Sequence, residues 1–132
     1  MDGLFGGLEV GDVLNPLTTT ISPEANERYW RSAGIEHPLL QGGALYPLIA
    51  ANLTVLALHQ HCADAMLQTR QQLTCHQRGD TPATLLTQAT VVDRYDKRSL
   101  PYIVIGAQVT VDGHLLWSAT SHFTPAAKAT SR

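Results

Sequence analysis

Residues 47–65 read PLIAANLTVLALHQHCADA, and the reading of this stretch decides the fold. Proline stands where a first helical residue would, a position at which its missing N–H is no loss. Apolar residues then fall on nearly every turn and nearly every face, as in a helix that is enclosed by the rest of its protein. The apolar run from Leu45 to Leu58 is broken by Tyr46, Pro47, Asn52 and Thr54 and is too short to cross a bilayer. The pattern therefore predicts one interior helix from about Pro47 to Ala65.

Immediately upstream, residues 34–44 (GIEHPLLQGGA) cannot be helical, because Pro38 and the Gly42-Gly43 pair break the chain there. Further back, Ser22-Pro23-Glu24 supplies an N-cap, a proline at the first helical position and an acid in the first turn. A helix from Pro23 to Ala33, stopped by Gly34, follows from that. Ahead of it, Leu17–Ile21 (LTTTI) is β-branched and reads as a short strand. Downstream lie four strand-like runs: Leu67–His76, Ala83–Asp93, Tyr102–Val111 and His114–Phe123. Their joints are Arg78-Gly79-Asp80, Lys97-Arg98-Ser99 and Asp112-Gly113, the last a two-residue hairpin signal. Short joints between neighbouring strands specify an antiparallel meander.

Length and composition set the outer limits. A chain of 132 residues is one domain's worth, and 44% hydrophobic with 15% charged residues is globular with a low charge content. Sparse charge suggests that part of the surface is covered by another subunit. A net charge of −2 gives no electrostatic reason to expect nucleic acid or an anionic membrane as partner. Two cysteines, Cys62 and Cys75, make no disulfide framework. The start, MDGLFGGLEVGD, lacks the basic residues of a secretion signal. These features lead us to expect a cytoplasmic protein, with no metal and no cofactor: there is no dinucleotide fingerprint, phosphate loop or nucleophile elbow. His59 and His61 are two apart on a helix and face different directions.

One strand, a short helix, an enclosed helix and four long strands amount to an α+β chain with a sheet of about five strands. A single sheet can enclose an apolar helix only by curling around it. The expected architecture is thus a single hotdog domain over residues 1–132, with residues 1–12 and 126–132 as loose ends.

Two stretches carry a family resemblance. Residues 8–40 (LEVGDVLNPLTTTISPEANERYWRSAGIEHPLL) resemble the opening of MaoC-like hydratases and dehydratases, in particular the dehydratase-type half related to fungal fatty-acid synthases. Residues 91–117 (VVDRYDKRSLPYIVIGAQVTVDGHLLW) resemble that family's strand, Lys-Arg turn, strand and hairpin. The resemblance runs from about Leu8 to Pro125. It implies addition or removal of water across the α,β bond of an acyl thioester, by an aspartate and a histidine in a Gly-Asp-x-Asn-Pro-apolar-His motif. With Gly34 and Pro38 aligned to that motif, Ile35 stands in the aspartate position, His37 in the asparagine position and Leu40 in the histidine position. Both catalytic side chains are missing, and each such acid or base typically contributes about 100- to 10,000-fold.

Candidate replacements lie nearby. His37 is a candidate base, since an ordinary histidine titrates near neutrality, with Glu36 or Tyr46 as acid; the plainer alternative has Glu36 in solvent and His37 packed on the helix end. Gly42 and Gly43, with backbone N–H groups through Leu45 at the positive end of the helix, are candidate donors to a thioester oxyanion, or simply the turn into the helix. Asn52 either bonds a neighbouring group or faces a pocket. Arg98, clustered with Arg94 and Lys97, is a candidate for phosphates of coenzyme A or of a carrier's phosphopantetheine. The expected function is a hydratase- or dehydratase-like lyase on a β-hydroxy or α,β-unsaturated acyl thioester, small-molecule or carrier-bound, or a related elimination or cyclisation. Alternatives are a non-catalytic partner subunit of a heteromeric hydratase and an acyl-binding hotdog protein. Pairing as a homodimer or heterodimer of hotdog domains is expected in each case.

Overall fold

The structure, a computed structural model, describes residues 4–34, 42–62 and 65–126. Strand β1 (Leu17–Ile21) leads into helix α1 (Pro23–Ser32). Ser22 caps α1 by accepting the Ala25 N–H at 3.1 Å, with Pro23 and Glu24 in the first turn. Gly34, at φ +73°, takes the left-handed conformation that ends it.

The second helix, α2, is shorter than expected: Ile49–His59 instead of 47–65. Its first turn is tight, with the N–H groups of Ile49 and Ala50 donating to the carbonyls of Tyr46 and Pro47 at 3.1 Å each. At its far end the N–H groups of His61 and Cys62 both donate to the Leu58 carbonyl. The stop is imposed by tertiary contact. His61 Nε2 accepts the Asn15 N–H at 2.9 Å, and Gly6 lies so close to the His61 carbonyl that a β-carbon there would overlap it. Residues 63 and 64 lie outside the described residues, as do 127–132.

The amino-terminal segment corrects the sequence expectation. Residues 4–12 are not a loose end: Phe5 is fully buried and packs with Leu8, Leu14, Ala57, Leu58 and Cys62 in one apolar cluster. The segment also bonds the strand that contains Ala89 and Val91, the Gly11 N–H donating to the Val91 carbonyl at 2.8 Å and the Leu14 N–H to the Ala89 carbonyl at 2.9 Å. Its apolar residues sit between glycines, so local pattern says little about it; burial of Phe5 against the end of α2 is what holds it.

Strands β2 (Met66–Cys75), β3 (Ala83–Lys97), β4 (Leu100–Val111) and β5 (His114–Pro125) complete a five-stranded sheet in the order β1-β3-β4-β5-β2, antiparallel at every pairing. β3 and β4 run longer than expected because their joint is only Arg98-Ser99, both at positive φ, so pairing persists to Lys97 and Leu100. Asp112-Gly113 closes the next hairpin in the same left-handed way. The sheet face toward α2 carries Ala89, Ala107 and Ala119 directly opposite one another on β3, β4 and β5. This row of small side chains lets helix and sheet approach closely, and Ala57 of α2 belongs to the same cluster as Ala89 and Ala107. The other face is uncharged and polar along its middle, with Gln88, Thr90, Gln108, Ser118 and Thr120.

α2 is not enclosed on all sides. Ile49, Ala50, Leu53, Thr54, Ala57 and Leu58 are buried, whereas Leu48, Asn52 and Leu56, spaced four apart, form an exposed stripe. A single five-stranded sheet curls over one side of the helix, which leaves this apolar stripe to the outside.

Replacing Ala107 by Leu should overfill the helix–sheet contact and cost about 1–3 kcal/mol in urea unfolding. The neighbouring Gln108→Leu, on the opposite face, should move stability by less than about 0.5 kcal/mol. Equal effects from the two would contradict the assigned faces.

Candidate functional site

Asn26 and Trp30 are one helical turn apart on α1 and share its buried face. Both side chains reach the same acceptor: Asn26 Nδ2 donates to the Ala44 carbonyl at 2.8 Å and Trp30 Nε1 at 2.9 Å. Asn26 Oδ1 in turn accepts the Tyr46 N–H at 2.9 Å. One buried asparagine therefore ties the two residues flanking Leu45 to α1 and fixes where α2 begins.

The opposite side of this approach is pinned to the β2–β3 connection. The Leu45 N–H donates to the Gly79 carbonyl at 2.8 Å and the Thr81 N–H to the Gly43 carbonyl at 2.9 Å. Arg78 bridges Asp80 and the Gly42 carbonyl, at 2.7 and 2.9 Å. Gly79 is required by space: a β-carbon there would meet Leu45 and Leu116 side chains at 2.7 and 2.8 Å.

Between these anchors lies a cleft of about 330 Å³ at the amino-terminal end of α2. Trp30 and Trp117 form apolar walls with Leu45 and Pro47, and Cys75, His76 and Arg78 stand on the β2 side. His76 shares a 2.8 Å hydrogen bond with Ser118 Oγ, and Arg78 places a cation at the rim. No carboxylate is among the described residues that line the cleft. Among the described residues there is also no group of three His, Cys, Asp or Glu side chains placed to hold a metal ion.

The residues singled out from the sequence divide as follows. Glu36 and His37 lie outside the described residues. Tyr46 stands beside the cleft, its ring 5.0 Å from that of Trp30 and 6.3 Å from that of Tyr29. Gly42 and Gly43 are part of the pinned approach, Gly43 at φ +79°. The Leu45 N–H, a candidate oxyanion donor, is already engaged by Gly79. Asn52 does not face the cleft: it is exposed and donates to the Tyr29 hydroxyl at 3.0 Å. Arg98 sits in the β3–β4 turn at the far end of the sheet, ~30 Å along β4 from the position opposite Trp117, and Arg94 is occupied with the Leu8 carbonyl and the Phe5 ring. Sequence reasoning did not single out Asn26, Trp30, His76, Arg78 or Trp117. The one available signal was the four-residue spacing of Asn26 and Trp30 on an otherwise charged short helix.

Among the described residues, Gln71 Nε2, Thr87 Oγ1 and Ser121 Oγ are buried on the sheet without a hydrogen-bond partner. Burying such a group unpaired costs about 1–3 kcal/mol.

No family model and no curated protein matches this chain. Solved structures do match. A chain of the C-terminally truncated HadBC (3R-hydroxyacyl-ACP dehydratase) complex from Mycobacterium tuberculosis has a TM-score of 0.73 at 16% identity, covering 87% of this chain and 96% of that one. The R-hydratase PhaJ1 from Pseudomonas aeruginosa gives 0.75 at 12% identity, over 92% and 84%. A chain of the ChsH1–ChsH2 complex from Mycobacterium tuberculosis gives 0.72 at 14%, over 89% and 98%. The likeness is one of fold: the chain is a hotdog domain of the shape used by hydratases and dehydratases, and the resemblance read from its sequence holds at that level.

Asn26→Ala should cost about 1–3 kcal/mol in chemical unfolding, because the half-buried Tyr46 N–H loses its acceptor and the buried Ala44 carbonyl one of its two donors. Asn52→Ala, which removes only an exposed bond to Tyr29, should stay within about 0.5 kcal/mol of the parent. A silent Asn26→Ala would show that α2 is positioned by something else.

Proposed function

We propose that this chain is the acyl-binding subunit of a hotdog hydratase or dehydratase assembly, acting on β-hydroxy or α,β-unsaturated acyl thioesters of coenzyme A or a carrier. The observation that carries this reading is the cleft: apolar walls at the positive end of α2, the Arg78 guanidinium, ion-paired with Asp80, at the rim, and no carboxylate among its described lining. Such a site suits an acyl chain and a phosphate-bearing thiol; its described lining holds no paired acid and base of the kind hydration needs, and Ile35 and Leu40 stand in the two catalytic positions of the motif. A motif-complete hotdog partner would supply them.

Two surfaces support a partner. β2 is an edge strand of 10 residues with Arg70 as its only charge and no proline, and long edges of that kind are open to pairing with another strand. The exposed Leu48 and Leu56 on α2 add apolar surface that a second hotdog domain would cover. Two of the matching structures, HadBC and ChsH1–ChsH2, are complexes of two different chains. A homodimer through the same edge is the simpler form of this assembly.

A second reading keeps the chemistry on this chain, with His37 as base and Glu36 or Tyr46 as acid. What favours it is the contact of Tyr46 with Trp30, a wall of the cleft.

The chain's two tryptophans both line the cleft, so intrinsic fluorescence reports its occupancy. Titration with saturated acyl-CoA should give saturable quenching or a spectral shift, while crotonyl-CoA should not be hydrated by the chain alone. Turnover that is lost in His37→Ala would move catalysis onto this chain. Absence of any fluorescence response across acyl lengths would contradict both readings.

A further inference from the structure

Gln71 of β2 and Ser121 of β5 are direct cross-strand partners. Ser121 lies between Ala119 and Phe123 in the alternation of β5, so the pair faces α2. Ser121 is fully buried, and both Gln71 Nε2 and Ser121 Oγ lack a hydrogen-bond partner, although opposed side chains of an antiparallel pair are near neighbours. Around them the core is apolar: Ile105 and Phe123 belong to one hydrophobic cluster, while Leu73 packs on the other. Leu and Ala at these two positions would satisfy the packing without stranding polar atoms, so the pair is not explained by stability.

Its position relates it to the cleft. Cys75 and Trp117, which line the cleft, are also cross-strand partners on the same two strands and the same face. They stand four positions from Gln71 and Ser121, ~13 Å along the strands. The intervening pair is Leu73 and Ala119: Ala119 is small, and Leu73 is half-buried on an edge strand. Because Ala119 lies in the row that α2 approaches, an extended acyl chain leaving the cleft would follow β2, displacing the half-buried Leu73, and end at Gln71 and Ser121.

We infer that Gln71 and Ser121 form a polar subsite for a neutral oxygen, a hydroxyl or a keto group, carried on the acyl chain far from the thioester. This inference rests on the acyl-binding reading above and names the substrate class within it. The amide N–H of Gln71 donates, and the Ser121 hydroxyl donates or accepts, which suits a hydroxyl or ketone. A carboxylate is disfavoured: Arg70, the charge next in sequence, is exposed on the opposite face of β2. A plain alkyl chain would leave both buried groups unpaired, and such sites discriminate strongly against the analogue lacking the hydrogen-bonding group.

The test uses the full chain and tryptophan fluorescence, with decanoyl-CoA, ω-hydroxydecanoyl-CoA and ω-hydroxybutyryl-CoA as probes. The ω-hydroxydecanoyl thioester should bind about tenfold or more tightly than decanoyl-CoA. That preference should vanish or invert in Gln71→Leu and Ser121→Ala. The ω-hydroxybutyryl thioester, too short to reach the pair, should bind alike to all three proteins. Without ligand, both variants should melt at or above the parent temperature, since each removes an unpaired polar group. Equal binding of the two decanoyl thioesters by the parent overturns this inference and leaves the acyl-binding reading intact. No binding of any thioester overturns both. A clear drop in melting temperature for Ser121→Ala would assign the hydroxyl a structural role and overturn the subsite as well.

Discussion

The carbonyl of Ala44 accepts two buried side-chain hydrogen bonds, from Asn26 and Trp30, and much of the molecule follows from that double attachment. A helix as poor in polar residues as α2 has no strong preference of its own for one orientation on a sheet, because hydrophobic burial is not directional. Orientation has to come from directional contacts at an end. Asn26 supplies them by bonding Ala44 and Tyr46 together, and the Gly79 carbonyl holds Leu45 between them. The start of α2 is thus fixed from two sides, and the cleft is the space left between those two attachments.

Where the directional contacts stop, small side chains take over. The Ala89–Ala107–Ala119 row brings the sheet up to α2, and Phe5 with Leu8 and Leu14 closes the carboxy-terminal end of the helix. The two apolar clusters that result sit toward opposite ends of the helix, one around Trp117 and Leu45, the other around Phe123 and Phe5. Asymmetry of the packing then has a functional consequence. The Trp117 end opens to solvent beside the helix amino terminus, whereas the Phe123 end is sealed by the folded-back amino-terminal segment.

The α+β plan, the order of the elements and the two-residue hairpins were legible from local pattern, because alternation, caps and turn residues act over a few positions. The length of α2 was not, since its last turn is stopped by Gly6 and Asn15, more than forty residues away in sequence. Nor was its exposed stripe: Leu48 and Leu56 read as core residues, and only the reach of a single sheet decides that they stay outside. Of the residues singled out from the sequence, Tyr46, Gly42 and Gly43 stand beside the cleft, but the cleft's walls were not legible. Trp117, His76 and Arg78 come from strands far along the chain, and no local signal ties them to Trp30. Arg98 shows the converse: a basic turn is visible in sequence, and strand register carries it to the end of the sheet away from the cleft.

Where an acyl chain lies decides between these readings of the cleft. A crystal structure of the full chain with a non-hydrolysable thioether analogue of an acyl-CoA would test that most directly. The account predicts the acyl chain between Trp30 and Trp117, with the sulfur end near Pro47 and the phosphates toward Arg78. Density for the analogue on the outer face of the sheet, or at the β3–β4 turn with the Trp30–Trp117 cleft filled by side chains, would contradict it.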